Sequence, residues 1–122
     1  MARILVVDDE TDVQSFVRRG LEFDAHEVET ADDGAAALAR IAHAREPFDL
    51  VVSDIKMPVM DGIQLALSVA KEQPNLPIVL MTGYADQRER ASGIDQIVSG
   101  VLLTPFDLPV LQATVEGALH PA

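Results

Sequence analysis

The chain has 122 residues, 48% of them hydrophobic, which suits one domain with a single core and excludes a disordered segment. Its net charge of −11, from 9 basic and 20 acidic residues, excludes an electrostatic footprint for nucleic acid. It has no cysteine, which excludes disulfides and thiolate chemistry. No apolar run is long enough to cross a membrane, and the N-terminal M-A-R-I-L-V-V-D-D lacks the features of a signal peptide. A cytoplasmic protein with no membrane partner is therefore expected.

Read along the chain, strand and helix patterns alternate. Ile4–Val7 is a continuous apolar run that ends in Asp8 and Asp9. Val13, Phe16, Val17 and Leu21 then recur at helical spacing, with Thr11 as a cap. A more polar strand around Glu27–Thr30 suggests a sheet edge, and Asp32-Asp33-Gly34 is a turn before a helix marked by Leu38, Ile41 and Ala42. Leu50–Ser53 is a second buried run, ending in Asp54, and Ile63, Ala66, Leu67 and Ala70 mark a helix after Asp61-Gly62. Pro77–Met81 is a third run, ending in Thr82, followed by a helix-like stretch from about Ala85 to Ala91. Val101–Leu103 reads as a last buried run, ending in Thr104. A final helix carries Leu108, Leu111, Val115 and Ala118, with Asp107 as its cap.

Five strands alternating with five helices, the central strands apolar on both faces, predict an α/β fold: a doubly wound, five-stranded parallel sheet with right-handed crossovers. There is no repeat or linker, so residues 1–122 are expected to form a single domain with no output domain attached.

The residues just after the apolar runs are Asp8 and Asp9, then Asp54, Thr82 and Thr104. In a parallel sheet these positions share one edge, where ligands bind at the reversal of strand order. Three carboxylates gathered there raise one another's pKa, and Mg²⁺, which prefers carboxylate and water oxygens, relieves that repulsion. A carboxylate is also a nucleophile toward phosphorus, giving an aspartyl phosphate, and the metal offsets charge on the transferring group. Thr82 is placed to donate to a phosphoryl oxygen. Taken singly, each is more simply a cap or turn residue, and Asp8-Asp9 alone fits a helix N-terminal box.

The segments I-L-V-V-D-D-E, V-V-S-D-I-K-M-P-V-M-D-G, M-T-G and L-T-P-F, in that order, resemble the receiver domain of two-component response regulators over essentially the whole chain. The resemblance implies the flavodoxin-like strand order 2-1-3-4-5 and a phosphoacceptor at Asp54. Asp9, Asp54 and the backbone carbonyl of Lys56 would bind Mg²⁺ directly, and Asp8 through water. Thr82 matches the hydroxyl that moves onto the phosphoryl group. A histidine kinase or histidine phosphotransfer protein is the implied partner, with Arg18 and Arg19 on the helix where such partners dock or on a plain solvated face. A monomer is the implied state, and the protein assists its own phosphotransfer and dephosphorylation without a separate substrate. The bond between Thr104 and Pro105 is implied to be cis.

A closer likeness, carried by D-I-K-M-P-V-M-D-G-I-Q-L-A-L and L-M-T-G-Y-A-D-Q-R-E-R-A, is to the CpdR group of stand-alone receivers in alphaproteobacterial cell-cycle control. It implies a phosphorylation-controlled adaptor for the ClpXP protease, with a ClpX-type unfoldase or its substrates as partners. Two positions depart from the family: its lysine is replaced by Thr104 and its aromatic switch residue by Val101. Asp8, Asp9 and Asp54 carry a formal −3, which Mg²⁺ reduces to −1, and phosphorylation adds charge that Thr104 does not neutralise. Slower phosphorylation or weaker coupling to Thr82 follows, and the alternative is a pseudo-receiver, a binding module whose output no longer depends on phosphate. Lys56 is either a substitute cation or a solvated surface lysine, and Arg88 and Arg90 a partner patch or plain surface. A haloacid-dehalogenase-type phosphatase would need a second acid two residues after Asp54, where Lys56 stands. A dinucleotide site would need a glycine-rich loop after the first strand.

Overall fold

Five short strands and the helices between them account for most of the molecule, a computed structural model that describes residues 1–83 and 97–121. The strands are β1 (Arg3–Val7), β2 (Glu27–Ala31), β3 (Leu50–Asp54), β4 (Ile78–Thr82) and β5 (Gly100–Leu103). They form one sheet in the order β2-β1-β3-β4-β5, and every pairing is parallel. The described helices are α1 (Thr11–Phe23), α2 (Gly34–His43), α3 (Gly62–Glu72) and α4 (Leu108–Leu119). The sheet order is the one implied by the sequence resemblance. The helix expected over about Ala85–Ala91, with Arg88 and Arg90, lies outside the described residues.

The sheet is covered on both faces, and the two-residue period of a strand explains how. Leu5 and Val7 of β1 join Val51, Leu80, Leu65 and Val69 in a layer on the α3 side. Ile4 and Val6 turn the other way, to Val52, Val79, Val17, Leu21, Leu111 and Val115 beneath α1 and α4. The central strands β1, β3 and β4 read as continuous apolar runs because both faces are buried.

Four readings need correction. Thr11 does not cap α1: Glu10 occupies the N-cap position and makes no side-chain cap bond. Phe16 is 46% exposed and meets the Phe106 ring at a centroid distance of 6.1 Å, because it lies at the rim of the apolar stripe. On α3 the buried residues are Gly62, Leu65, Ala66 and Val69, whereas Leu67 faces solvent, one residue out of register with the expected stripe. In β5 only Leu102 is buried, on the face beneath α1 and α4; Val101 and Leu103 point to the other face and are exposed.

The other described helices start on aspartate caps, at Asp33, Asp61 and Asp107, and Asp61 forms a capping box with Gln64. Helix α1 ends in a Schellman arrangement: His26 N–H donates to Leu21 O at 3.2 Å and Ala25 N–H to Glu22 O at 2.9 Å. That places exposed Ala25 at φ 67°, where a Cβ is unfavourable. Ala25→Gly is therefore expected to stabilise the fold by about 0.5–1 kcal/mol after the larger unfolded-state entropy of glycine is allowed for. Thermal denaturation checks this, and a lowered midpoint would contradict it.

Candidate functional site

The chain leaves β1 for β2 on one side of the sheet and returns to β3 on the other. Strand order thus reverses between β1 and β3, and a crevice opens at their carboxyl ends. Asp8 and Asp9 follow β1, and Asp54 ends β3. One carboxylate oxygen from each of the three lies within 4.8 Å of the others, the acids being buried, exposed and half-buried respectively.

Local hydrogen bonds fix this arrangement. Glu10 N–H donates to Asp8 Oδ1 at 2.8 Å, and Asp8 N–H to Ala31 O at 3.1 Å. Ile55 N–H donates to Asp54 Oδ1 at 2.9 Å. Gly62 opens α3 directly on the Asp54 backbone: a Cβ there would collide with the Asp54 carbonyl oxygen, which explains the glycine of M-D-G. Between them Pro58 O accepts from Met60 N–H at 2.8 Å, and Val59 sits at φ 70° in the resulting γ-turn. A β-branched residue at that angle is strained, and such strain collects at functional sites.

Burial pushes Asp8 up to about 7, helped by the neighbouring Asp54 and Asp9 and opposed by the Glu10 amide. Burial likewise pushes Asp54 up to about 6, with Asp9 and Glu10 adding to it and the Ile55 and Lys56 amides opposing it. The cleft is short of positive charge.

The cleft has a volume of about 530 Å³, and Glu10, Lys56, Gly83 and Thr104 complete its polar lining. Lys56 is exposed at the rim and is the one Lys or Arg lining the cleft among the described residues. Thr104 follows β5, its N–H donating to Thr82 O at 2.8 Å, and the Thr104–Pro105 bond is cis. Its Oγ1 lies so close to Gly83 that a Cβ at residue 83 would collide with it. Thr82 ends β4 nearby but is fully buried and is not part of the cleft lining. Val101 lies on β5, 37% exposed, away from the cleft lining. Sequence reasoning missed Glu10 and Gly83; Gly83, directly after a strand-end threonine, was the available signal. A larger hollow of about 1020 Å³ lies at the amino ends of the strands, lined by residues such as His26 and Glu116, far from the three acids.

Hard oxygen donors converging at a reversal of strand order, with their charge unmet, suit Mg²⁺. Residues 4–116 match the response regulator receiver domain family, and the chain belongs to it. It is a receiver domain of a two-component response regulator, and receiver domains are signalling modules rather than classical enzymes. Receivers bind Mg²⁺ at their acidic pocket and interact with histidine kinases or phosphotransfer proteins. The response regulator MprA of Mycobacterium sp. strain KMS is 38% identical over 118 residues, covering 97% of this chain and 50% of that protein. The transcriptional regulatory protein PrrA of Mycobacterium leprae is 35% identical with the same coverage. The chain spans about half the length of these curated relatives. Among solved structures, the response regulator TrrA of Thermotoga maritima, in complex with Mg²⁺ and BeF, superposes with a TM-score of 0.87 at 30% identity, covering 98% of this chain and 100% of that one. The chemotaxis response regulator CheY4 of Vibrio cholerae gives 0.84 at 33% identity, covering 98% and 99%. No described helix is long and apolar enough to cross a membrane.

Proposed function

We propose that Asp54 accepts a phosphoryl group from a phosphohistidine on a kinase or phosphotransfer protein, and that the domain signals by changing its protein contacts. The observation that carries this reading is the convergence of Asp8, Asp9 and Asp54 within 4.8 Å at the reversal of strand order. Asp9, Asp54 and the Lys56 carbonyl would hold Mg²⁺ directly and Asp8 through water. Bound there, Mg²⁺ offsets the charge of the acids and of the transferring group. A carboxylate oxygen of Asp54 attacks phosphorus, the phosphorus–nitrogen bond breaks, and the imidazole leaves with its electron pair. Thr82 would leave its buried position to donate its hydroxyl to a phosphoryl oxygen. Thr104 supplies a neutral hydroxyl where the family has a cation, and Val101 replaces the aromatic switch residue.

Incubation with Mg²⁺ and acetyl phosphate, followed by intact-mass measurement, is expected to add one phosphoryl group of about 80 Da, and none to Asp54→Asn. Absence of the adduct in the parent protein would leave the second reading, a binding module independent of phosphate, which the hydroxyl of Thr104 in the cleft favours.

The likeness of the segments around Asp54 and Thr82 to the CpdR group supports a finer reading: a stand-alone, monomeric, cytoplasmic adaptor that delivers substrates to a ClpX-type unfoldase when unphosphorylated. Retention of the unphosphorylated chain, and not the acetyl phosphate-treated one, on immobilised unfoldase tests it.

A further inference from the structure

We propose that Gln14 is the positioning residue of the cation site, holding the Asp8–Glu10 turn in the shape that aims its acids into the cleft. The inference rests on the reading of Asp8, Asp9 and Asp54 as a Mg²⁺ site. Its starting observation is that α1 alone among the described helices begins without a side-chain cap. Something else must fix where the helix starts, and the turn between β1 and α1 is only Asp8, Asp9 and Glu10.

The Gln14 side-chain amide sits in the first turns of α1 and reaches back across that turn. Its Nε2 donates to Asp8 O at 2.6 Å and to Asp32 Oδ1 at 2.9 Å, with Ala31 O at 3.1 Å as a third acceptor. An amide nitrogen has two hydrogens, so one is shared between acceptors. The same Ala31 O also accepts from Asp8 N–H. One neutral group thus binds the end of β1, the end of β2 and the loop that leads to α2. With Glu10 N–H on Asp8 Oδ1, both the backbone and the side chain of Asp8 are held.

The chemistry suits the place. Three oxygen acceptors beside two acids call for a donor, and a lysine or arginine there would compete with a divalent cation for the carboxylates. The amide supplies donors and no net charge. Groups that orient a metal's ligands typically change affinity by about 10–100-fold when removed.

The test is titration calorimetry with Mg²⁺ on the whole chain, paired with melting in EDTA. Gln14→Leu keeps the size and helix preference of the residue and removes the donors. It is expected to weaken Mg²⁺ binding by about tenfold or more. Gln14→Glu, which sets a carboxylate against three acceptors, is expected to weaken it further. Gln112→Leu is the control: it removes a comparable amide bond, from Gln112 to Asp24 at 3.0 Å, away from the cleft, and should leave the affinity within twofold. Should Gln14→Leu fail to fold, Gln14→Met removes the same donors with an unbranched side chain of similar length and good helix preference, and unweakened binding by that variant would overturn the proposal. Gln14→Leu binding within twofold of the parent, with only the melting point lowered, would reduce Gln14 to a structural tie. No Mg²⁺ binding by the parent protein would instead refute the cation-site reading itself, and the positioning role with it.

Discussion

Stability of the metal-free protein is expected to fall as the pH rises from about 4 to just above 7. Folded Asp8 titrates at about 7 and Asp54 at about 6, against 3.8 for each when unfolded. Between those values the folded chain keeps protons that the unfolded chain has released, so raising the pH favours unfolding. The penalty is absent below the unfolded pKa and complete once the pH has passed the folded one. Each unit by which a folded carboxyl lies above its unfolded value costs about 1.36 kcal/mol once both states are ionised, and Asp8, the more buried and more strongly raised of the two, carries the larger share. Urea denaturation in EDTA across this range measures it, and Asp54→Asn should flatten the profile and stabilise the metal-free chain at pH 8. Saturating Mg²⁺ should act in the same sense on the parent protein, adding about 2.7 kcal/mol at a hundred times its Kd. A flat profile for the metal-free parent would mean that the acids are better solvated than their burial implies.

Thr104→Lys is expected to speed phosphorylation by small donors about 10–100-fold. A charge-assisted bond to a phosphoryl oxygen contributes about 1.5–3 kcal/mol, and each 1.36 kcal/mol is a factor of ten in rate. The cleft has four acids, Asp8, Asp9, Glu10 and Asp54, against Lys56 at its rim. Thr104 lines that cleft from the end of β5, opposite the acids in sequence and adjacent to them in space. An ammonium there would also stabilise the ionised acids, so the same variant should weaken the pH dependence of metal-free stability. Gly83 leaves the neighbouring space free of a side chain. An unchanged rate, measured by intact mass over time, would mean that Lys56 or another cation already serves the phosphoryl group.

Much of this was legible in the sequence because the strands announce their own ends. A buried parallel strand is a run of apolar residues closed by the first residue that needs water or a ligand. Asp8, Asp54, Thr82 and Thr104 all stand at such closures. Polar β2 was likewise readable as an edge. The failures share one cause, which is that periodicity reports a face but not how wide the neighbouring element makes it. Leu65 and Leu67 differ by two positions on one helix, and only the packing of α3 on the sheet buries the first and exposes the second. Val101 and Leu103 look like core residues, yet they share the face of β5 opposite Leu102 and neither is buried. Gln14 was invisible for another reason: its partners are two backbone carbonyls and a carboxylate from separate loops, and no spacing rule encodes such a meeting.

The strand order has one further consequence. Asp8 and Thr104 lie near opposite ends of the chain, and their strands connect laterally only through β3 and β4. The three acids meet on the neighbouring strands β1 and β3, but the complete lining, with Gly83 and Thr104, exists only in the assembled sheet. Occupancy therefore resists global opening rather than local fraying. Amide hydrogens of β1 and β3 that exchange only when the whole sheet opens should slow together, by one common factor, when the cleft is filled. In that sense the receiver's ligand is also a clamp on its cooperativity, and a signal that empties the cleft loosens the entire fold at once.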